Sequence, residues 1–140
     1  LLVSSAASDV YKRQVYKGKV VVNSLNYDQL SFNILLTSNE NTTIIQIHKP
    51  FYGNLLQIKY DNSSNLMKYI SKDGSYEINA DIPRNIGDIV NNCLLRESYV
   101  DEVFEDGQSL NIECYKNMDE TNFYMQYKSS SFKGFLIKNE

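Results

Sequence analysis

Gln29-Leu30-Ser31-Phe32-Asn33-Ile34-Leu35-Leu36-Thr37 is the stretch that decides the fold. Leu30, Phe32, Ile34 and Leu36 alternate with Gln29, Ser31, Asn33 and Thr37, and Leu35 alone breaks the rhythm. Successive side chains of a strand point to opposite faces, so this alternation predicts an antiparallel strand with one buried and one wetted face. Working outward, residues 15–22 read as the preceding strand. Residues 43–49 and 55–60 read as the next two. The polar run Asp61-Asn62-Ser63-Ser64-Asn65 predicts a turn into a strand at 66–71. Lys72-Asp73-Gly74-Ser75 predicts a hairpin, because Asp-Gly supplies the positive φ that tight hairpins require, with 76–79 as the return strand.

The period then changes. Ile86, Ile89, Val90, Cys93 and Leu94 fall at i, i+3, i+4, i+7 and i+8, one apolar stripe on a helix over 85–96, with Pro83 just ahead of its start. Asp88, Asn91 and Asn92 form the opposite, polar face. Strand periodicity resumes at 99–104, 109–115, 122–128 and 132–138. About ten strands and one amphipathic helix predict a mainly β protein, an antiparallel sheet with a helix packed on it. A sheet of that size must curl, close or be covered, or it exposes its edges and an apolar face.

Composition narrows the function classes. The chain has 140 residues and a formal net charge of −3, with no basic run or Lys/Arg stripe, which argues against a nucleic-acid groove. No apolar stretch approaches the roughly 20 residues of a membrane-spanning helix. Residues 1–14, LLVSSAASDVYKRQ, hold two of the chain's three Ala and none of its Asn, and they read as a non-native, adapter-derived segment. Residues 15–140 then form a single domain. The final strand ends without a turn or cap, so it is expected to lack a partner, with a further C-terminal strand missing from the chain.

Catalytic machinery is hard to find. His48, the one histidine, lies at a strand end beside Lys49-Pro50 and reads as a surface residue. Asp101, Glu102, Glu105 and Asp106 read as a solvated edge and turn, and no nucleophile elbow, phosphate loop or dinucleotide fingerprint is present. No enzymatic activity, cofactor or metal is expected. Cys93 and Cys114 fit either a disulfide or two small buried apolar residues. The unusual loop is Lys49-Pro50-Phe51-Tyr52-Gly53-Asn54, whose tip carries two aromatics where a soluble turn is polar. Such a tip either folds back on the sheet or protrudes as an apolar probe for membrane or acyl chains.

The order of these elements resembles the LolB family of outer-membrane lipoprotein receptors, in the LolA/LolB-like group of half-open β-barrels. The residues that carry the resemblance begin with Gly18-Lys19-Val20-Val21-Val22 in the opening strand. They continue through the Pro50, Phe51, Tyr52, Gly53 loop, the Leu- and Ile-rich strand at 55–58, the Asp73-Gly74 hairpin and the amphipathic helix. They close with Phe123 and Tyr127 in one strand and the strand at 132–138. The resemblance implies an incomplete, half-open β-barrel with a helical lid. It implies that Leu30, Phe32, Ile34, Leu36, Ile58, Ile86, Ile89, Val90, Cys93 and Leu94 line a cavity for lipoprotein acyl chains. It implies a monomeric receptor, lipid-anchored on the periplasmic face of the outer membrane through a Cys not present in this chain. Its partners would be acylated lipoproteins, the periplasmic carrier LolA and outer-membrane lipid, with no nucleic acid. The alternative is a non-enzymatic periplasmic domain whose concave face is filled by its own side chains.

Overall fold

In a computed structural model, residues 13–25, 27–51, 53–61, 64, 66–71, 74–78, 83–105 and 107–139 are described. They form β1 (Gln14–Ser24), β2 (Tyr27–Ser38), β3 (Thr42–Lys49), β4 (Gly53–Asp61), β5 (Leu66–Ser71) and β6 (Gly74–Ile78). One helix among the described residues, α1 (Pro83–Leu95), comes next. It is followed by β7 (Ser98–Glu105), β8 (Gln108–Asn117), β9 (Glu120–Tyr127) and β10 (Ser130–Lys138). The strands lie in one sheet in the order β6-β5-β4-β3-β2-β1-β10-β9-β8-β7, every neighbouring pair antiparallel. The protein is therefore mainly β, and its sheet stays open between β6 and β7. Helix α1 is the connection that carries the chain from one edge of the sheet to the other.

The expected final strand without a partner is corrected by this order. β10 is paired on one side with β1, from Tyr16 opposite Lys138 to Ser24 opposite Ser130, and on the other with β9. Gln14, the last residue of the segment read as foreign, is the first residue of β1. It pairs with Ser38, and its Oε1 accepts a 2.6 Å hydrogen bond from the Tyr16 hydroxyl. Residues 1–12, and Asp73 of the expected Asp-Gly hairpin, lie outside the described residues. Pro83 is inside the first helical turn rather than ahead of it, where its missing N–H leaves no intrahelical bond unmade.

The core sits on the concave face. Tyr16 and Val20 of β1, Ile34 and Leu36 of β2, Ile112 and Cys114 of β8, Phe123 of β9 and Leu136 of β10 are buried there. Ile89, Cys93 and Leu94 of α1 pack onto them. Phe32, Ile34 and Leu36 of β2 thus face inward, while Leu35 is on the convex side, in register with Lys17 and Gln46. Two glycines let β1 and β10 approach. A Cβ on Gly18 would collide with the carbonyl oxygen of Phe135, and one on Gly134 would meet both the Lys19 carbonyl oxygen and the Phe123 ring. The Phe123 ring occupies the space that a side chain at 134 would need.

Candidate functional site

The stripe of α1 faces the sheet as its spacing requires. Ile89, Cys93 and Leu94 are buried, while Asp88, Asn91 and Leu95 are exposed. The helix packs against β8, β4, β7 and β9, and so spans the open side of the sheet. Its attachment to β8 is covalent: Cys93 and Cys114 form a disulfide with a Cα–Cα distance of 5.3 Å. Of the two readings of these cysteines, the disulfide is the one observed. Toward the other edge, Asp88 lies near Tyr60 of β4. Burial first, and then the nearby carboxylates of Asp88 and Asp61, push the Tyr60 hydroxyl above its usual pKa.

Beneath the helix the concave face encloses a cavity of about 580 Å³. Every described residue lining it is apolar: Val, Ile, Leu, Phe, Met or Cys. Phe32, Ile34 and Leu36 of β2 contribute, as do Ile58 of β4 and Ile89, Val90, Cys93 and Leu94 of α1. Leu30 has the same parity but is 42 % exposed and lies outside the lining, because β2 reaches the lip of the sheet at that point. The side chain of Ile86 lies outside the described part of the structure. Val20, Val22, Ile45, Ile47, Leu55, Leu56, Leu110, Ile112, Phe123, Met125, Phe132 and Leu136, none of them among the expected residues, also line the cavity. Their alternation is visible in each strand; the pairing that brings the even-numbered residues of β1, β2, β8 and β10 and the odd-numbered residues of β3 and β9 to one face is not.

The cavity is closed at one end and open at the other. Near α1 its lining residues Leu36, Cys93, Leu94, Ile112 and Leu136 are buried. Toward the opposite rim Val22, Phe32, Leu55, Leu110, Met125 and Phe132 are only half-buried. That rim is built by the β1–β2, β3–β4 and β9–β10 turns. Pro50 and Phe51 are exposed in the β3–β4 turn, Phe51 holds a φ of 72° and Gly53 one of 74°. Tyr52 lies outside the described residues. Phe51 therefore projects from the turn and does not fold back over the sheet.

Polar chemistry stays at the margins of this cavity. The Tyr99 hydroxyl donates to Asp101 Oδ2 at 2.6 Å, and Asp101 Oδ1 accepts from the Glu102 amide. Burial, reinforced by the Asp101 carboxylate, raises the Tyr99 pKa, and burial raises that of Tyr16. Among the described residues no three His, Cys, Asp or Glu side chains converge as metal ligands. The arrangement offers an apolar ligand surface to cover and, among the described residues, no charged group lining it.

The fold and the cavity define a class: an open antiparallel β half-barrel with a helix across one end and an apolar cavity beneath it. No protein-family model matches the chain, and no curated protein matches it in sequence. Among solved structures it is similar to a LolA superfamily protein from Nitrosomonas europaea. The TM-score is 0.45 and the identity 8 %, over 92 % of this chain and 84 % of that one. A likeness that distant carries no argument about function.

Proposed function

We propose that this protein binds the acyl chains of lipoproteins in the cavity under α1 and acts as an outer-membrane lipoprotein receptor. It accepts cargo from a periplasmic carrier of the LolA type and releases it to the membrane, without catalysing a reaction. One observation carries the reading: among the described residues, the cavity of about 580 Å³ is lined by apolar side chains alone. An acyl chain gains about 0.8 kcal/mol per buried CH₂, so affinity for it needs area and no polar clamp. The same cavity weighs against a concave face filled by its own side chains. The Cys93–Cys114 disulfide suits an oxidising compartment such as the periplasm.

The test is a titration with a fluorescent fatty acid, followed by competition with a triacylated lipopeptide and with its deacylated form. Saturable binding, displaced by the acylated peptide only, is expected. Absence of fatty-acid binding overturns the reading. The receptor step is tested by mixing the protein with lipoprotein-loaded carrier and following the transfer of cargo.

A further inference from the structure

Asp101 stands where the alternation of β7 calls for an apolar residue. Tyr99 and Val103, two positions away on either side, pack against the core, so Asp101 shares their inward parity. Across the β7–β8 ladder it is in register with Ile112, which is buried and lines the cavity. A half-buried carboxylate in such a place needs hydrogen bonds, and two are present. The Tyr99 hydroxyl donates to Oδ2 at 2.6 Å, and the Glu102 amide donates to Oδ1 at 2.8 Å. The second bond lies on the free edge of the sheet, since β7 has no strand beyond it among the described residues. In an antiparallel ladder alternate residues bond the neighbouring strand, and those between them turn their N–H and C=O away from it. The Glu97 carbonyl oxygen accepts from the Lys116 amide of β8, so the odd-numbered residues of β7 bond β8 and Glu102 faces outward. Asp101 therefore occupies, with its own carboxylate, an amide that an added strand would use.

We propose that Asp101 guards this edge and keeps β7 from pairing with the free edge of a second copy of this chain. Tyr99, Val100, Val103 and Phe104 are strong strand formers, and Val100 is 66 % exposed. A strand of this kind with unpaired edge groups is a template for association. Among the described residues the other end of the sheet, β6, is a second free edge. Copies would then join β6 to β7 head to tail, an arrangement that does not close and grows into chains. A strand added at β7 would have to break the bond between Glu102 and Asp101. It would also cover the carboxylate beside Ile112 and leave it short of partners away from water, which is costly for a charged group. Glu102, one residue on, points to the opposite face and is exposed, so the same addition leaves its charge in water. The guard is independent of what the cavity binds.

The experiment follows the association state of the intact chain by sedimentation velocity and light scattering over a range of concentrations. Asp101→Val completes the apolar alternation of β7. It is expected to raise the association constant by about tenfold or more, the equivalent of removing one unsatisfied charged group from a contact, and to give species larger than a dimer. Asp101→Asn keeps an acceptor for the Glu102 amide but loses the charge, and it is expected to fall between that variant and the unaltered chain. Glu102→Gln is the control: it changes the net charge by the same amount and should sediment like the unaltered chain. Amide hydrogen exchange in the unaltered chain reads the geometry with no substitution at all. The Glu102 amide is expected to exchange more slowly than those of Val100 and Phe104, which also face outward. Unchanged sedimentation of both Asp101 variants, equal association in Glu102→Gln, or a Glu102 amide that exchanges as fast as that of Val100 overturns the proposal. Association that ends at a dimer overturns the head-to-tail pairing with β6.

Discussion

Cys93 on the helix and Cys114 on the eighth strand stand with their Cα atoms 5.3 Å apart, joined by a disulfide. Cys114 pairs in register with Tyr99 on one side and Phe123 on the other, so the bond fastens α1 directly to the core. The other end of the helix has no such tie among the described residues. Replacing both cysteines (Cys93→Ala with Cys114→Val) is expected to lower unfolding stability by about 2–4 kcal/mol, since a cross-link of this span restricts the unfolded chain by roughly that amount. Denaturant melts of the two proteins, with the unaltered chain also melted under reductant, check this. Coincident curves would count against the bond as a stabilising tie.

Ile89 is buried beneath the lid and lines the cavity together with Val90. An aspartate at either position places an uncompensated charge in an apolar site. Ile89→Asp and Val90→Asp are each expected to abolish fluorescent fatty-acid binding or to cost several kcal/mol of stability. Retention of both properties in both variants would show that the helix does not cover the cavity.

Gly134 faces the Phe123 ring across the β9–β10 ladder. A methyl group at 134 would fall 2.6 Å from the ring's Cζ, and the Lys19 backbone blocks the other side. Gly134→Ala is expected to destabilise the protein by about 1–3 kcal/mol, the usual range for overpacking a filled site. A thermal melt measures it. In a double-mutant cycle with Phe123→Leu, a combined loss smaller than the sum of the two single losses would show that the ring is part of the obstacle, beside the nearer Lys19 carbonyl oxygen.

The tyrosines set an alkaline limit. Burial raises the pKa of Tyr16, Tyr60 and Tyr99 above the ordinary value of 10.0. In the unfolded chain these phenols ionise near that ordinary value, whereas in the fold they hold their protons to higher pH. The folded state thus binds more protons above pH 10, and stability falls as pH rises. The contribution is complete below pH 10 and is lost as pH climbs through the folded values. Denaturant midpoints measured from pH 8 to pH 11.5 should be level at first and then decline. Tyr16→Phe should make that decline shallower, and an unchanged slope in the variant would remove Tyr16 from the account.

Much of this architecture is legible in the sequence, for local reasons. Alternation in β2 places Phe32, Ile34 and Leu36 on one face because the period of a strand is two, whatever its partner. The stripe from Ile89 to Leu94 likewise needs only the helical period. The pairing of β1 with β10 has no such signature, since Val20 and Gly134 are brought together by the whole chain and not by their neighbours. Without that pairing, the inward parity of β8, β9 and β10 cannot be joined to that of β2. Phe123, Met125, Phe132 and Leu136 therefore remained outside the expected cavity, and the last strand was expected to lack a partner. Leu30 shows the converse limit: its parity is right, but parity does not report where a strand passes the lip of the sheet. The joining of Cys93 to Cys114 also depends on a crossing between elements that residue spacing leaves undetermined.

The strand order has a kinetic side. Within β1–β6 and within β7–β10, every strand pairs with its neighbour in sequence. Each group is a local meander whose hairpins close small loops and form quickly. The ladder that unites them, from Tyr16 with Lys138 to Ser24 with Ser130, joins opposite ends of the described chain and must close the largest loop in the molecule. Until it forms, two curled ribbons each show an apolar inner face to solvent, a state prone to self-association. A circular permutant that links β10 directly to β1 and opens the chain in the connection before α1 would make that ladder local. It should refold faster and aggregate less than the natural order, which is the order that obliges the protein to complete its last strand before its first has both neighbours.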